Sequence, residues 1–227
     1  AQFLARQWAR QPVNFLAQIV TEEWWREALL LTIGSLNAPA PYEQRADFIQ
    51  ALCNTEGNLT ARLAAAELAA TGLSDLPAPE PALLQMAQQR LVNLWQAPDF
   101  STAPPKVRLR AGNALAVLGD DRDFDALVEI LAGSFLMGDE RDSNAKPRHE
   151  VSLARFRIGK YPVTVGQWKR FIAANPDYRY DPDSLKGFDN HPAHDVSWHD
   201  ARAYCAWLTR EWRQARKIRS EEEVRLP

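Results

Sequence analysis

Residues 191–208 read His-Pro-Ala-His-Asp-Val-Ser-Trp-His-Asp-Ala-Arg-Ala-Tyr-Cys-Ala-Trp-Leu, a proline-bearing loop that runs into a helix. Ser197 stands where a cap is wanted, because its hydroxyl can accept from the unpaired amides of a first helical turn. Asp200, three residues on, makes the pattern resemble a capping box with a shortened acid. Trp198, Ala201, Tyr204, Cys205, Leu208 and Trp212 then recur at helical spacing, predicting a helix over 198–215 with one apolar face. On that face Cys205 packs rather than reacts.

Upstream of that helix the pattern is short and broken. Phe-Leu-Met at 135–137, Glu-Val-Ser-Leu at 150–153, Phe-Arg-Ile at 156–158 and Tyr-Pro-Val-Thr-Val at 161–165 read as strands, since β-branched and aromatic runs punctuated by Gly and Pro favour extended backbone. Residues 139–147 are polar, as an exposed loop would be. A second helix is expected near 166–174, capped by Thr164. The change of character falls near Leu127.

Before Leu127 the chain reads as helix throughout. Three segments end in Leu-x-x-x-Gly, from Leu30 to Gly34, Leu68 to Gly72 and Leu115 to Gly119, and each glycine is expected to stop its helix in a left-handed cap. The glycines lie 38 (72 − 34) and 47 (119 − 72) residues apart, close to the about 40–47 residue period of HEAT and armadillo helix pairs. Proline-bearing punctuation at 37–41, 77–81 and 98–105 separates them. The segment 107–120 resembles a HEAT helix most closely. An irregular bundle of helices that happen to end in glycine is the alternative. The expected fold class is therefore α+β, with a helical, HEAT-like scaffold at 1–126 and a mixed domain at 127–227.

Composition narrows the function classes. A formal net charge of −2 on 227 residues offers no general attraction for nucleic acid or anionic membrane. Two distant cysteines, Cys53 and Cys205, are too few for a disulfide framework, so a reducing, cytoplasmic setting is expected. No apolar run is long enough to span a bilayer, and the first residues lack a signal-peptide pattern. The chain starts at Ala1 without a methionine and reads as a piece of something longer.

The second half is similar to the formylglycine-generating-enzyme, or sulfatase-modifying-factor, family. The residues that carry the resemblance are Gly-Ser-Phe-Leu-Met-Gly at 133–138, Lys-Pro-Arg-His-Glu-Val at 146–151, Phe156 with Ile158, Tyr-Pro-Val-Thr at 161–164, and Gln167 with Phe171. His191-Pro192, Val-Ser-Trp at 196–198, Asp200-Ala201, Tyr204-Cys205, Trp207-Leu208 and Arg-Leu-Pro at 225–227 complete it. The resemblance implies a C-type-lectin-like fold, of which 127–227 is the first half, and in that fold Trp198 and Trp207 would pack in the core rather than form a ligand cage. It also implies that the copper-binding cysteine pair and most calcium ligands of the true oxidases lie past Arg-Leu-Pro, so calcium or copper would belong only to a completed domain. Related sulfoxide synthases add an iron-binding histidine cluster on a helical bundle, whereas residues 1–126 contain no histidine.

No catalytic or cofactor-binding residues are assigned within the chain. His191, His194 and His199 form the one grouping with metal-ligand chemistry, yet a loop and the following helix share them, so no regular element aligns them. Helices leading into a lectin-like domain resemble the rear of bacterial signalling proteins in which a NACHT or related NTPase comes first; the stretch 25–36 looks like a helix pair after such a switch. The expected function is a sensor that recognises a protein or small ligand, with the domain completed by more of the same polypeptide or by another chain. A fragment of a formylglycine-generating-type oxidase is the alternative.

Overall fold

The computed structural model describes residues 12–35 and 42–227. Leu36 and the punctuation at 37–41 lie outside them. The described residues divide into two compact units, 1–121 and 122–227, with the split a few residues ahead of Leu127. Helices and two small sheets make the class α+β. Among the described residues no helix is long and apolar enough to cross a membrane.

Unit 1 is helical: α1 (Pro12–Ile19), α2 (Glu23–Ser35), α3 (Tyr42–Cys53), α4 (Leu59–Ser74), α5 (Pro81–Trp95) and α6 (Pro105–Leu118). Both α5 and α6 begin on a proline, whose missing N–H is no loss in a first turn. Helix α4 is apolar on nearly every side, and such a helix belongs in the interior. It packs against α1, α2, α3, α5 and α6. Its N-terminus is capped by Asn58, which accepts from the Ala61 amide at 2.9 Å. Glu67 brings a buried charge into this centre: it is 4% exposed, but Arg26 of α2 meets both its oxygens at 2.7 and 3.2 Å and Thr71 donates at 2.9 Å.

Two of the three expected glycine caps are corrected here. Gly34 lies within α2 and Gly72 within α4. Gly72 serves a close approach instead, since a Cβ there would stand 2.4 Å from Ile33 Cδ1 on α2. Only Gly119 ends its helix, with φ +100° after α6. Leu29 and Ile33 of α2 are fully buried, while Trp24 and Leu31 of α2 and Leu109 of α6 are exposed.

Unit 2 contains β1 (Leu127–Ile130), β2 (Gly133–Met137), β3 (His149–Leu153) and β4 (Phe156–Gly159), then α7 (Val165–Ala174) and α8 (Trp198–Gln214). The strands are nested: β2 pairs with β3 and β1 with β4, both antiparallel. Strand β1 had no counterpart in the pattern reading. The expected strand at 161–165 reduces to one bridge, Thr164 to Pro192, because Val165 already belongs to α7. Both helix caps form as capping boxes, Thr164 with Gln167 and Ser197 with Asp200.

Candidate functional site

Unit 2 is organised around the aromatic faces of α7 and α8. Trp168 and Phe171 of α7 meet at 4.9 Å between ring centres, and Phe171 meets Tyr204 and Trp207 of α8 at 5.8 and 5.6 Å. The Trp168 indole N–H donates to Ser184 Oγ at 2.8 Å, so the ring is held at its polar end as well. Tyr178 packs edge-on against Phe171 and donates to Asp200 at 2.7 Å. Desolvation, reinforced by that carboxylate, pushes its hydroxyl up to about 12. Tyr204 is buried, its hydroxyl has no hydrogen-bond partner among the described residues, and burial pushes its pKa well up.

A polar node fastens this centre. The Gln167 side-chain amide accepts from the Thr164 N–H at 2.8 Å and donates to the Phe124 carbonyl at 3.1 Å and to Asp125 at 2.8 Å. Asp125 also accepts from Arg170 and Lys217, each at 3.3 Å. Desolvation raises the Asp125 pKa, but the hydrogen bonds from Gln167 and Lys217 and the charges of Arg170 and Lys217 outweigh it, leaving the group below the usual carboxylate range.

The histidines do not converge. His191 stands edge-on to Phe188 at 5.2 Å, His194 pairs with neighbouring Asp195 at 2.7 Å, and His199 stands edge-on to exposed Trp198 at 5.1 Å. Among the described residues no three His, Cys, Asp or Glu side chains are grouped to hold a metal ion. Cys205 is half-buried and Cys53 buried; desolvation raises both thiols, Cys53 to about 11 against the opposing charge of Arg90. Burial thus favours the neutral thiol at both positions.

Trp198 corrects an expectation. It is 58% exposed at the first turn of α8, with the Arg202 guanidinium 4.7 Å above its ring. Trp207 and Trp212 do pack inward. A larger apolar surface lies on the hairpins. Phe135, Leu136 and Met137 of β2, with Val128 and Ile130 of β1 and Ile158 of β4, are all exposed. Sequence reading also passed over basic residues in two separate stretches of unit 2. The signal was present as Arg-Phe-Arg at 155–157 and Arg-Lys-Ile-Arg at 216–219, too far apart in sequence to be joined without the fold.

A chaperone protein, LppX of Paenibacillus barcinonensis, is 31% identical over 93 residues. The match takes in 41% of this chain and 29% of that protein, so the chain spans under a third of its relative's length. Residues 116–227, from the end of α6 through the whole of unit 2, match the family model of the Sulfatase-modifying factor enzyme 1-like domain, which supports placing this part of the chain in that family.

Proposed function

We propose that this chain is the recognition module of a larger bacterial signalling or defence protein of the NACHT-bearing kind, working in the cytoplasm and non-catalytic within residues 1–227. Unit 1 would be its scaffold and unit 2 its C-type-lectin-like recognition domain, closed by more of its own polypeptide or by another chain. The observation that carries this reading is the open apolar surface of the hairpins beside a well-filled aromatic centre. Contiguous exposed apolar side chains mark a surface that a partner covers. The relative described as a chaperone protein adds support, because holding another polypeptide calls for such a surface. For unit 1, the central position of α4 favours a bundle built around one helix over stacked HEAT-like pairs, in which each pair would touch only its neighbours.

A second reading rests on the family match: the parent protein is an oxidase that converts a peptide cysteine to formylglycine, with its copper-binding cysteines outside these residues. The test incubates the full-length parent with copper, oxygen, a thiol reductant that supplies the second electron pair for reducing oxygen to water, and a cysteine-containing sulfatase peptide, and follows thiol-to-aldehyde conversion by mass. The recognition reading expects the peptide unchanged. Aldehyde formation at many turnovers per enzyme would replace it with the oxidase.

A further inference from the structure

The basic residues passed over by sequence reading come together in unit 2. Arg155 and Arg157 of β4 and its approach face Arg216, Lys217 and Arg219, which follow α8, across a groove of about 540 Å³. Glu129 and Glu222 are the acids lining it, so the groove carries a formal +3 (five cations less two carboxylates). Unit 2 as a whole is nearly neutral, with 18 Lys and Arg against 17 Asp and Glu between residues 122 and 227. The positive charge is therefore gathered at this place rather than spread over the unit.

Backbone geometry marks the same place. Helix α8 ends in a Schellman motif: the Lys217 N–H donates to the Trp212 carbonyl at 2.8 Å and the Arg216 N–H to the Arg213 carbonyl at 3.1 Å. The residue at its left-handed position is normally glycine, yet here it is Arg216, at φ 56°. A Cβ in that conformation is strained. Residues strained in this way cluster at ligand clamps and active sites. The Arg216 side chain lines the groove and has no ion-pair or hydrogen-bond partner among the described residues. Its neighbours are held apart by separate anchors: Arg157 by Glu222 at 3.1 Å, Lys217 by Asp125 at 3.3 Å and Arg155 by Glu129 at 2.9 Å. The Arg155 pair is exposed on both sides, so an incoming carboxylate can exchange for Glu129 at little cost.

We infer that this groove binds an acidic peptide segment of a protein partner, with Arg216 as the free cation that seizes a carboxylate and Arg155 as the second contact. Phe156, 38% exposed in the groove wall, gives the segment an apolar contact beside its charges. Nucleic acid fits less well. The near-neutral unit lacks a field for a polyphosphate chain. A single strand also needs successive aromatic platforms, and Phe156 is the one aromatic lining the groove. This inference rests on the recognition reading and names the partner class; the two fail separately, since peptide aldehyde formation by the parent tests the first and direct binding tests the second.

The test uses the full 227-residue chain and a fluorescein-labelled peptide rich in Asp and Glu, followed by anisotropy. Binding should saturate and should weaken by about tenfold between low and moderate salt, as exposed charges are screened. In the double variant Arg155→Gln, Arg216→Gly, affinity should fall about tenfold, the loss of two charge-assisted contacts. The glycine relieves the strained position, so the variant stays folded by circular dichroism. Arg148→Gln with Arg179→Gln removes the same charge from exposed sites outside the groove and should leave affinity within about twofold, as exposed charges away from a contact contribute little. No saturable binding, an equal loss in both double variants, or tighter binding of a single-stranded oligonucleotide that the groove variant abolishes would each overturn the inference.

Discussion

The close packing of unit 1 hangs on individual atoms, and Gly72 shows it most directly. A glycine inside an exposed helix is a weakness, and replacing it with alanine would stabilise by up to about 1 kcal/mol. Gly72 is not exposed. An added Cβ would lie 2.4 Å from Ile33 Cδ1 and 3.2 Å from Ile33 Cβ and Cγ2, and Ile33 is itself fully buried. The neighbour cannot swing into solvent, so α2 and α4 must part or Ile33 must leave its rotamer. Gly72→Ala should therefore destabilise by about 1–3 kcal/mol, the usual cost of overpacking. Ile33→Val, which deletes the clashing methyl, should return part of that loss in the double variant. Urea unfolding of the four proteins measures it; stabilisation by Gly72→Ala would show that the two helices are not packed as described. The same residue explains why the glycine pattern misled. Leu-x-x-x-Gly reads identically whether the glycine ends a helix, as Gly119 does, or lets a second helix approach, as Gly72 does.

At the scale of elements, unit 2 is fastened by Asp125, which ties the segment before β1 to α7 through Gln167 and Arg170 and to the segment after α8 through Lys217. Its pKa is lowered in the folded state. A group with a depressed folded pKa contributes stability above its unfolded value, about 3.9 for aspartate, and loses that contribution as pH falls through the folded value. Asp125→Asn should cost about 1–2 kcal/mol near neutrality, the size of charged hydrogen bonds weakened at a partly buried site. The gap between wild type and variant should stay constant from about pH 7 to pH 5 and close below about pH 4. Urea melts across that range test it, and a gap that widened in acid would reverse the assigned sign. Elements with local chemistry were legible from sequence. Thr164 and Ser197 each announce a helix by a hydroxyl three residues ahead of a matching side chain, and both boxes form. Elements that depend on distant partners were not. Strand β1 exists by pairing with β4 about thirty residues later, the 161–165 segment gave its extended pattern to a helix start, and the groove joins residues sixty positions apart.

On the whole-molecule scale the two units differ in how complete their cores are. Unit 1 buries a continuous apolar cluster running from Leu16 to Leu115 around α4. Unit 2 buries Trp168, Phe171, Tyr204, Trp207, Leu208, Trp212 and Ile218, and leaves its hairpins open, with Leu136 57% and Met137 53% exposed. Two-stranded sheets also present unpaired backbone along their outer edges, and open apolar edges recruit further strands. The units should accordingly behave differently when separated. Residues 1–121 should melt cooperatively as a monomer and leave an apolar-surface dye dark. Residues 122–227 should light the dye, self-associate as concentration rises and give broad amide resonances. Leu136→Lys, placing a charge in the exposed hairpin surface, should reduce both dye binding and association without disturbing the buried rings around Phe171. Analytical ultracentrifugation, dye fluorescence and amide spectra distinguish the cases. A monodisperse, dye-silent 122–227 with well-dispersed amides would mean that the hairpins cover one another, and the open surface behind the recognition reading would be gone.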